Sequence, residues 1–144
     1  MMIQRMNESH IPQIAALEAA CFSAPWSEDC LRYELTNSLA LWLAAVEGEK
    51  VVGYVGSQTV MGESDMMNIA VHPDHRRQGI AQNLLEELIS RLKAIESTCL
   101  LLEVRASNCS AIKLYEKNGF SQVGLRKNYD KHPKEDALIL KKEF

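Results

Sequence analysis

No stretch of this sequence stays apolar for long enough to cross a bilayer. Its longest apolar run, LALWLAAV at 39–46, is far below the roughly 20 residues that a spanning helix needs. The first residues, MMIQRMNESH, lack the apolar core of about 7–15 residues that marks a secretory signal. A cytoplasmic protein without a membrane partner is expected. Cysteine is sparse and never paired as C-x-x-C: Cys21, Cys30, Cys99 and Cys109 stand apart. That spacing indicates neither a disulfide framework nor a zinc site, and free thiols are the expectation. Positive charge is not in excess either. With 16 Lys and Arg against 19 Asp and Glu, the net charge is −3, whereas a protein living on nucleic acid phosphates carries the opposite balance. No nucleic-acid partner is expected.

Repeats, low-complexity tracts and linkers are also missing. The remaining composition, 47% hydrophobic and 24% charged over 144 residues, suits one domain with a core of its own, spanning 1–144. The chain then reads as alternating elements. SHIPQIAALEAAC has the apolar spacing of a helix, with Pro12 tolerable in its first turn. After the loop CFSAPW, Ser27 is placed to cap a short second helix, with Glu28 and Asp29 in its first turn. LALWLAAVEGEKVVGYVGSQTV reads as two strands around a tight turn at Gly48. SDMMNIAV is another strand, stopped at His72-Pro73. From Gly79 the apolar residues Ile80, Ala81, Leu84, Leu85, Leu88, Ile89 and Leu92 form one face of a long helix, and Glu87 and Arg91 are spaced to pair on its other side. TCLLLEVRA is a strand. SNCSAIKLYEKNGF is a helix capped by Ser107 or Asn108 and ended at Asn118-Gly119, and SQVGLRKNY and EDALILKK close the chain as strands. This order predicts a mixed α/β sheet covered by helices.

The stretch VHPDHRRQGIAQNL (71–84) combines a strand end, a short basic loop and a helix start. Unpaired N–H groups at a positive helix end make an anion site, and Gly79 lets the backbone approach a phosphate closely. No Gly-Lys-Ser/Thr follows, so it is not a P-loop, and no G-x-G-x-x-G is present, so it is not a dinucleotide fingerprint. The alternative is a solvated loop before a helix-starting glycine. His72, Asp74 and His75 have no further ligands nearby in sequence and read as a solvated turn, so no metal is expected.

Arg76-Arg77-Gln78-Gly79-Ile80-Ala81 resembles the Gln/Arg-x-x-Gly-x-Gly/Ala signature of the Gcn5-related N-acetyltransferases. MNIAVHPDHRR before it and LEVRASNCSAIKLYEKNGF after it are also similar to that family's core. The resemblance implies a central, mostly antiparallel twisted sheet of six to seven strands with one splayed parallel pair, flanked by about four helices. It also implies acetyl-coenzyme A as co-substrate. Its pyrophosphate would be held by Arg77, Gln78, Gly79, Ile80, Ala81 and Gln82, its acetyl-pantetheine end by Ile69, Ala70 and Val71, with Asn108 contributing a hydrogen bond.

An acceptor amine that is mostly protonated at neutral pH needs a base. Glu103, in the otherwise apolar LLLEVR, is the candidate, because a buried carboxylate needs a reason. The alternative is that Glu103 pairs with Arg105, two residues on and therefore on the same face, or faces solvent at a sheet edge. Tyr115 fits the acid that protonates the departing thiolate; its alternative is a core aromatic spaced from Ile112. For Asn108 the alternative is a helix cap. The resemblance assigns Glu103 as proton acceptor and Tyr115 as donor, in a direct transfer without an acyl-enzyme. Trp26 either lines a peptide groove or anchors its own loop.

PWS (25–27), NIAV (68–71), LEVRASN (102–108), LYEKNGF and GLRKNY…EDALIL further resemble the branch of the family that acetylates the N-terminal alanine of a small-subunit ribosomal protein. A protein N-terminus is therefore the implied acceptor, with a monomer or weak dimer as the implied state. Relatives often read R-x-x-Y-Y where this chain has Arg126-Lys127-Asn128-Tyr129-Asp130. Small amines or lysine side chains are the rival acceptors, and a non-catalytic acyl-coenzyme A-binding module is the rival of another class.

Overall fold

The computed structural model describes residues 1–131 and 134–144, with the side chains of 128–134 left aside. Its strands are β1 (Met2–Arg5), β2 (Ala40–Glu47), β3 (Lys50–Val60), β4 (Glu63–Val71), β5 (Cys99–Arg105), β6 (Ser121–Lys131) and β7 (Lys134–Glu143). Its helices are α1 (Ile11–Cys21), α2 (Glu28–Glu34), α3 (Ile80–Ala94) and α4 (Cys109–Lys117), with short 3-10 turns at Glu8–His10 and Pro73–His75. Strand β1 is the one strand without a counterpart in the sequence reading: its four residues, MIQR, are too few to show a period. Among the described residues no helix is long and apolar enough to cross a membrane.

The seven strands form one sheet in the order β1-β2-β3-β4-β5-β7-β6. Every neighbouring pair is antiparallel except β4 and β5. Both faces are covered. On one, α3 and α4 pack on the sheet; Leu84, Leu85, Leu88 and Leu92 of α3 are fully buried, each contributing about 1.5–3 kcal/mol of apolar burial. They join Leu100, Leu102 and Val104 of β5 and Tyr115 and Phe120 in one cluster. On the other face, Ile11, Ile14 and Leu17 of α1 and Leu31 of α2 pack with Trp42 and Tyr54. Gly56 of β3 is needed here, because a Cβ at that position would meet the Trp42 ring at 2.4 Å.

The caps follow the local chemistry. Ser27 Oγ accepts the Cys30 N–H at 3.1 Å, Asn108 rather than Ser107 caps α4, and Gly119, at φ 89°, ends it. Glu87 and Arg91 pair at 2.9 Å on the outer side of α3.

The parallel pair shapes the site. Strands β4 and β5 are in register only at Glu63–Cys99, Ser64–Leu100 and Asp65–Leu101. Hydroxyls close this end of the fork: Ser64 bonds Ser97 at 2.7 Å and Thr59 at 2.7 Å. Beyond Asp65 the strands separate. Strand β5 continues along β7 to Arg105, and β4 continues along β3 to Val71 with one extra residue, Met67, between the pairs Ser57–Met66 and Gly56–Asn68. Such a bulge increases local twist and turns the strand away from its neighbour.

Candidate active site

The opened fork is part of a cleft of about 1820 Å³, walled by β4, β5, α4, the loop into α3 and the loop between α1 and α2. Backbone polarity leaves free donors in the fork. The His72 N–H donates to the Val52 carbonyl at 2.8 Å, so alternation along an antiparallel strand turns the amides of Ala70 and Asn68 toward β3. Those of Ile69 and Val71 then face the gap that β5 has left. Ile69, Ala70 and Val71 all line the cleft.

The loop into α3 forms a second set of donors. Arg77 has φ 63° and Gly79 φ 77°, so the chain turns twice through left-handed conformations before α3 begins. The first backbone bond of the helix runs from the Asn83 N–H to the Gly79 carbonyl at 3.0 Å. The N–H groups of Ile80, Ala81 and Gln82 therefore have no acceptor within the helix. No acidic side chain occupies this first turn, and Gly79 offers no side-chain cap. Arg77, Gly79, Ile80, Ala81 and Gln82 line the cleft; Gln78 does not appear in its wall. A Cβ on Gly79 would meet nothing within 4 Å, so the glycine is required here by its φ and not by crowding within the protein. The Gln82 side chain is engaged elsewhere: it exchanges hydrogen bonds with the Asn118 amide at 2.7 and 2.8 Å. Only its backbone is left for an anion. The donors and the absence of first-turn carboxylates suit a polyphosphate.

The two titratable candidates lie on opposite faces of the sheet. Tyr115 belongs to the cluster under α3, is 5% exposed and packs edge-on against Phe120 at 5.6 Å. Its hydroxyl reaches Met66 Sδ at 4.0 Å, which places the phenol beside the fork. Burial pushes it up to about 12, so it holds its proton. Tyr115 is thus both the core aromatic that its spacing suggests and a wall of the cleft.

Glu103 alternates with the buried Leu102 and Val104 and so points to the α1–α2 face. The expectation of a buried carboxylate is corrected: the Glu103 side chain is 27% exposed and bonds Arg126 Nη2 at 2.8 Å. Its partner is not Arg105, which pairs with Glu135 at 3.4 Å, and β5 is an interior strand. The β7–β6 hairpin brings in Arg126, a contact across more than twenty residues that spacing could not reveal. Asn108 caps α4 through Oδ1, accepting from the Ala111 N–H at 3.3 Å, and also lines the cleft. Trp26 anchors its loop by packing edge-on against Trp42 at 5.1 Å, and it also lines the cleft. The side chain of Tyr129 lies outside the described residues.

Sequence reasoning missed Asp65, at the last paired step of the fork, whose carboxyl is raised by burial and then by Glu63. It also missed Glu18, fully buried on α1. Among the described residues no cluster suits a metal ion. His72 instead accepts the Asp74 N–H at 3.1 Å, and His75 sits 3.6 Å from Glu47. All four cysteines are free thiols.

The family model described as the acetyltransferase (GNAT) family matches residues 11–120. The ribosomal protein bS18-alanine N-acetyltransferase of Escherichia coli K12 is 35% identical over 142 residues, covering 96% of this chain and 94% of that protein. The enzyme of the same name from Haemophilus ducreyi is 36% identical over 144 residues, covering 96% and 97%. Among solved structures, the ribosomal-protein-S18-alanine N-acetyltransferase from Escherichia coli superposes with a TM-score of 0.90 at 34% identity, covering 99% of this chain and 92% of that one.

Proposed function

Since this chain belongs to the GNAT family of acetyltransferases, we propose that it moves an acetyl group from acetyl-coenzyme A to the N-terminal alanine of a small-subunit ribosomal protein in the cytoplasm. The observation that carries this acceptor is the likeness to bS18-alanine N-acetyltransferases along 96% of the chain. The acetyl thioester is what the coenzyme supplies.

The residues of this chain divide the remaining work. The backbone amides of Ile80, Ala81 and Gln82, with Arg77, Gln78 and Gly79, hold the pyrophosphate at the positive end of α3. Ile69, Ala70 and Val71 receive the acetyl-pantetheine end in the fork, where the inward amides of Ile69 and Val71 offer preorganised donors to the carbonyl oxygen. Asn108 supplies a further hydrogen bond.

The acceptor amine arrives on the face that carries Glu103. An N-terminal ammonium has a pKa of about 7.7–8.0 and must lose its proton to attack; Glu103 takes it, directly or through a water. As the amine nitrogen bonds to the acetyl carbon and the carbon–sulfur bond breaks, Tyr115, on the opposite face, would give its proton to the departing sulfur. Its raised pKa keeps that proton available across the whole neutral range. The sheet thus separates base from acid, and the fork is the passage between them.

The test uses acetyl-coenzyme A with two peptides: one beginning with alanine, taken from the host's own ribosomal protein, and one with a blocked N-terminus and a free lysine. Acetylation of the first alone, read by mass spectrometry, is the expected result. Transfer to the lysine peptide, or tight coenzyme binding without transfer to either, overturns the assignment.

A further inference from the structure

Glu18 is a carboxylate of α1 with 0% exposure, and the mechanism above does not use it. Three groups from three different elements converge on it. The Trp26 backbone N–H, in the α1–α2 loop, donates to Oε1 at 2.9 Å. The Asn68 side-chain amide donates to both oxygens at 3.0 Å, and the Tyr54 hydroxyl of β3 donates to Oε2. All of these partners are neutral. Burying a charge among neutral donors is costly, so its benefit has to lie in what it holds together.

What it holds is specific. Asn68 directly follows Met67, the extra residue of the β4 bulge, and directly precedes Ile69, whose amide faces the fork. Trp26 lies in the loop that walls the cleft on the same face as Glu103. The Trp26 amide sits in a loop with no strand to pair it, and α1 ends at Cys21. Glu18 is therefore where the loop on the acceptor side is fastened to the strand that presents the thioester-facing amides. Tyr54 serves differently: its ring stacks on Trp42 at 6.2 Å and its hydroxyl links Glu18 to β3, away from the cleft wall.

We propose that Glu18 is a positioning residue for the acceptor side of the cleft, locking the α1–α2 loop to the β4 bulge so that an incoming amine meets a preformed wall. This rests on the reading that the acceptor enters on the Glu103 face. It touches neither the coenzyme cradle nor the reacting atoms.

The experiment compares Glu18→Ala, Asn68→Ala and Tyr54→Phe with the unaltered protein by two readouts. The first is amide hydrogen exchange of residues 22–27, which needs no substrate. Glu18→Ala should speed exchange at Trp26 by about tenfold or more, as expected for loss of a buried hydrogen bond to a charged group, while Tyr54→Phe leaves it within about twofold. The second is steady-state kinetics with the alanine peptide. Glu18→Ala and Asn68→Ala should raise the acceptor KM about tenfold with the dissociation constant for acetyl-coenzyme A within about twofold. Tyr54→Phe should lower the melting temperature without moving the acceptor KM. If Glu18→Ala does not fold, Asn68→Ala, which leaves the carboxylate in place, decides by its kinetics. Equal effects of Tyr54→Phe and Asn68→Ala on the acceptor KM, or unchanged exchange at Trp26 in a folded Glu18→Ala protein, overturn the proposal. An unaltered protein inactive on the peptide sinks the acceptor assignment alone, and exchange at Trp26 then decides the role of Glu18.

Discussion

The two faces of the sheet build their halves of the cleft from different materials. On the α3 face the free donors are mainly backbone: the first-turn amides of α3 and the inward amides of Ile69 and Val71, backed by an apolar core. On the α1–α2 face the wall is made of side chains brought from distant segments, Glu103 with Arg126 at 2.8 Å and Trp26 against Trp42, with the buried Glu18 behind them bonded to Asn68 and Tyr54. Backbone donors depend on conformation, so one glycine with φ 77° and an open helix end suffice for a cradle. Side-chain constellations depend on which strands become neighbours. A cradle of the first kind suits a ligand shared by many enzymes, and a wall of the second kind suits an acceptor particular to one of them.

This contrast can be broken at its strongest point first. Glu103→Gln should lower turnover near neutral pH by about 10²–10⁴-fold, the usual worth of a positioned base. The affinity for acetyl-coenzyme A, measured by calorimetry, should stay within about twofold because the cradle is on the other face. Turnover equal to that of the unaltered protein would remove Glu103 from the mechanism.

The buried phenol gives a test from the α3 face. Burial pushes Tyr115 up to about 12 in the folded chain, from the ordinary value of 10.0 that the unfolded chain keeps. A raised pKa means that its contribution is fully present below pH 10 and is lost as the pH climbs through 12, because the unfolded chain gives up its proton first. The loss is about 2–3 kcal/mol. Denaturant melts between pH 9 and about 12 should show that Tyr115→Phe loses stability less steeply than the unaltered protein. The alkaline loss that remains belongs in part to Tyr54, which burial and then Glu18 also raise.

The cradle should respond with the smallest and most selective effect. Gly79→Val forces a β-branched residue into a left-handed conformation, a strain of about 1–3 kcal/mol. The KM for acetyl-coenzyme A should rise by about tenfold while the acceptor KM holds. Movement of both constants together would show that the two faces are less independent than their construction suggests.

The amphipathic run from Ile80 to Leu92, the Ser27 cap and the turn at Gly48 were legible because each signal is local and repeats or terminates within a few residues. The loop before α3 was legible for the same reason: a strand end, a helix start and a glycine within ten residues define its geometry. Glu103 was legible as a carboxylate out of place in an apolar strand. Its setting was not, since the partner Arg126 reaches it only through the β6–β7 hairpin. Glu18 was hidden more completely. In the sequence it is one polar position within a helix, and nothing nearby announces that Trp26, Tyr54 and Asn68 will point their donors at it.

By itself, then, the sequence determined the helices, every strand but β1, and the glycine at which the loop before α3 turns, because these depend on dihedral preferences and short-range hydrogen bonds. Only the tertiary structure decided where β4 and β5 part, which amides face the gap and which charges meet across it. Strand pairing and its interruption are long-range events: the register ends at Asp65–Leu101, between the hydroxyl ties of Ser64 to Thr59 and Ser97 and the bulge at Met67, and no short segment of the chain contains all of these partners.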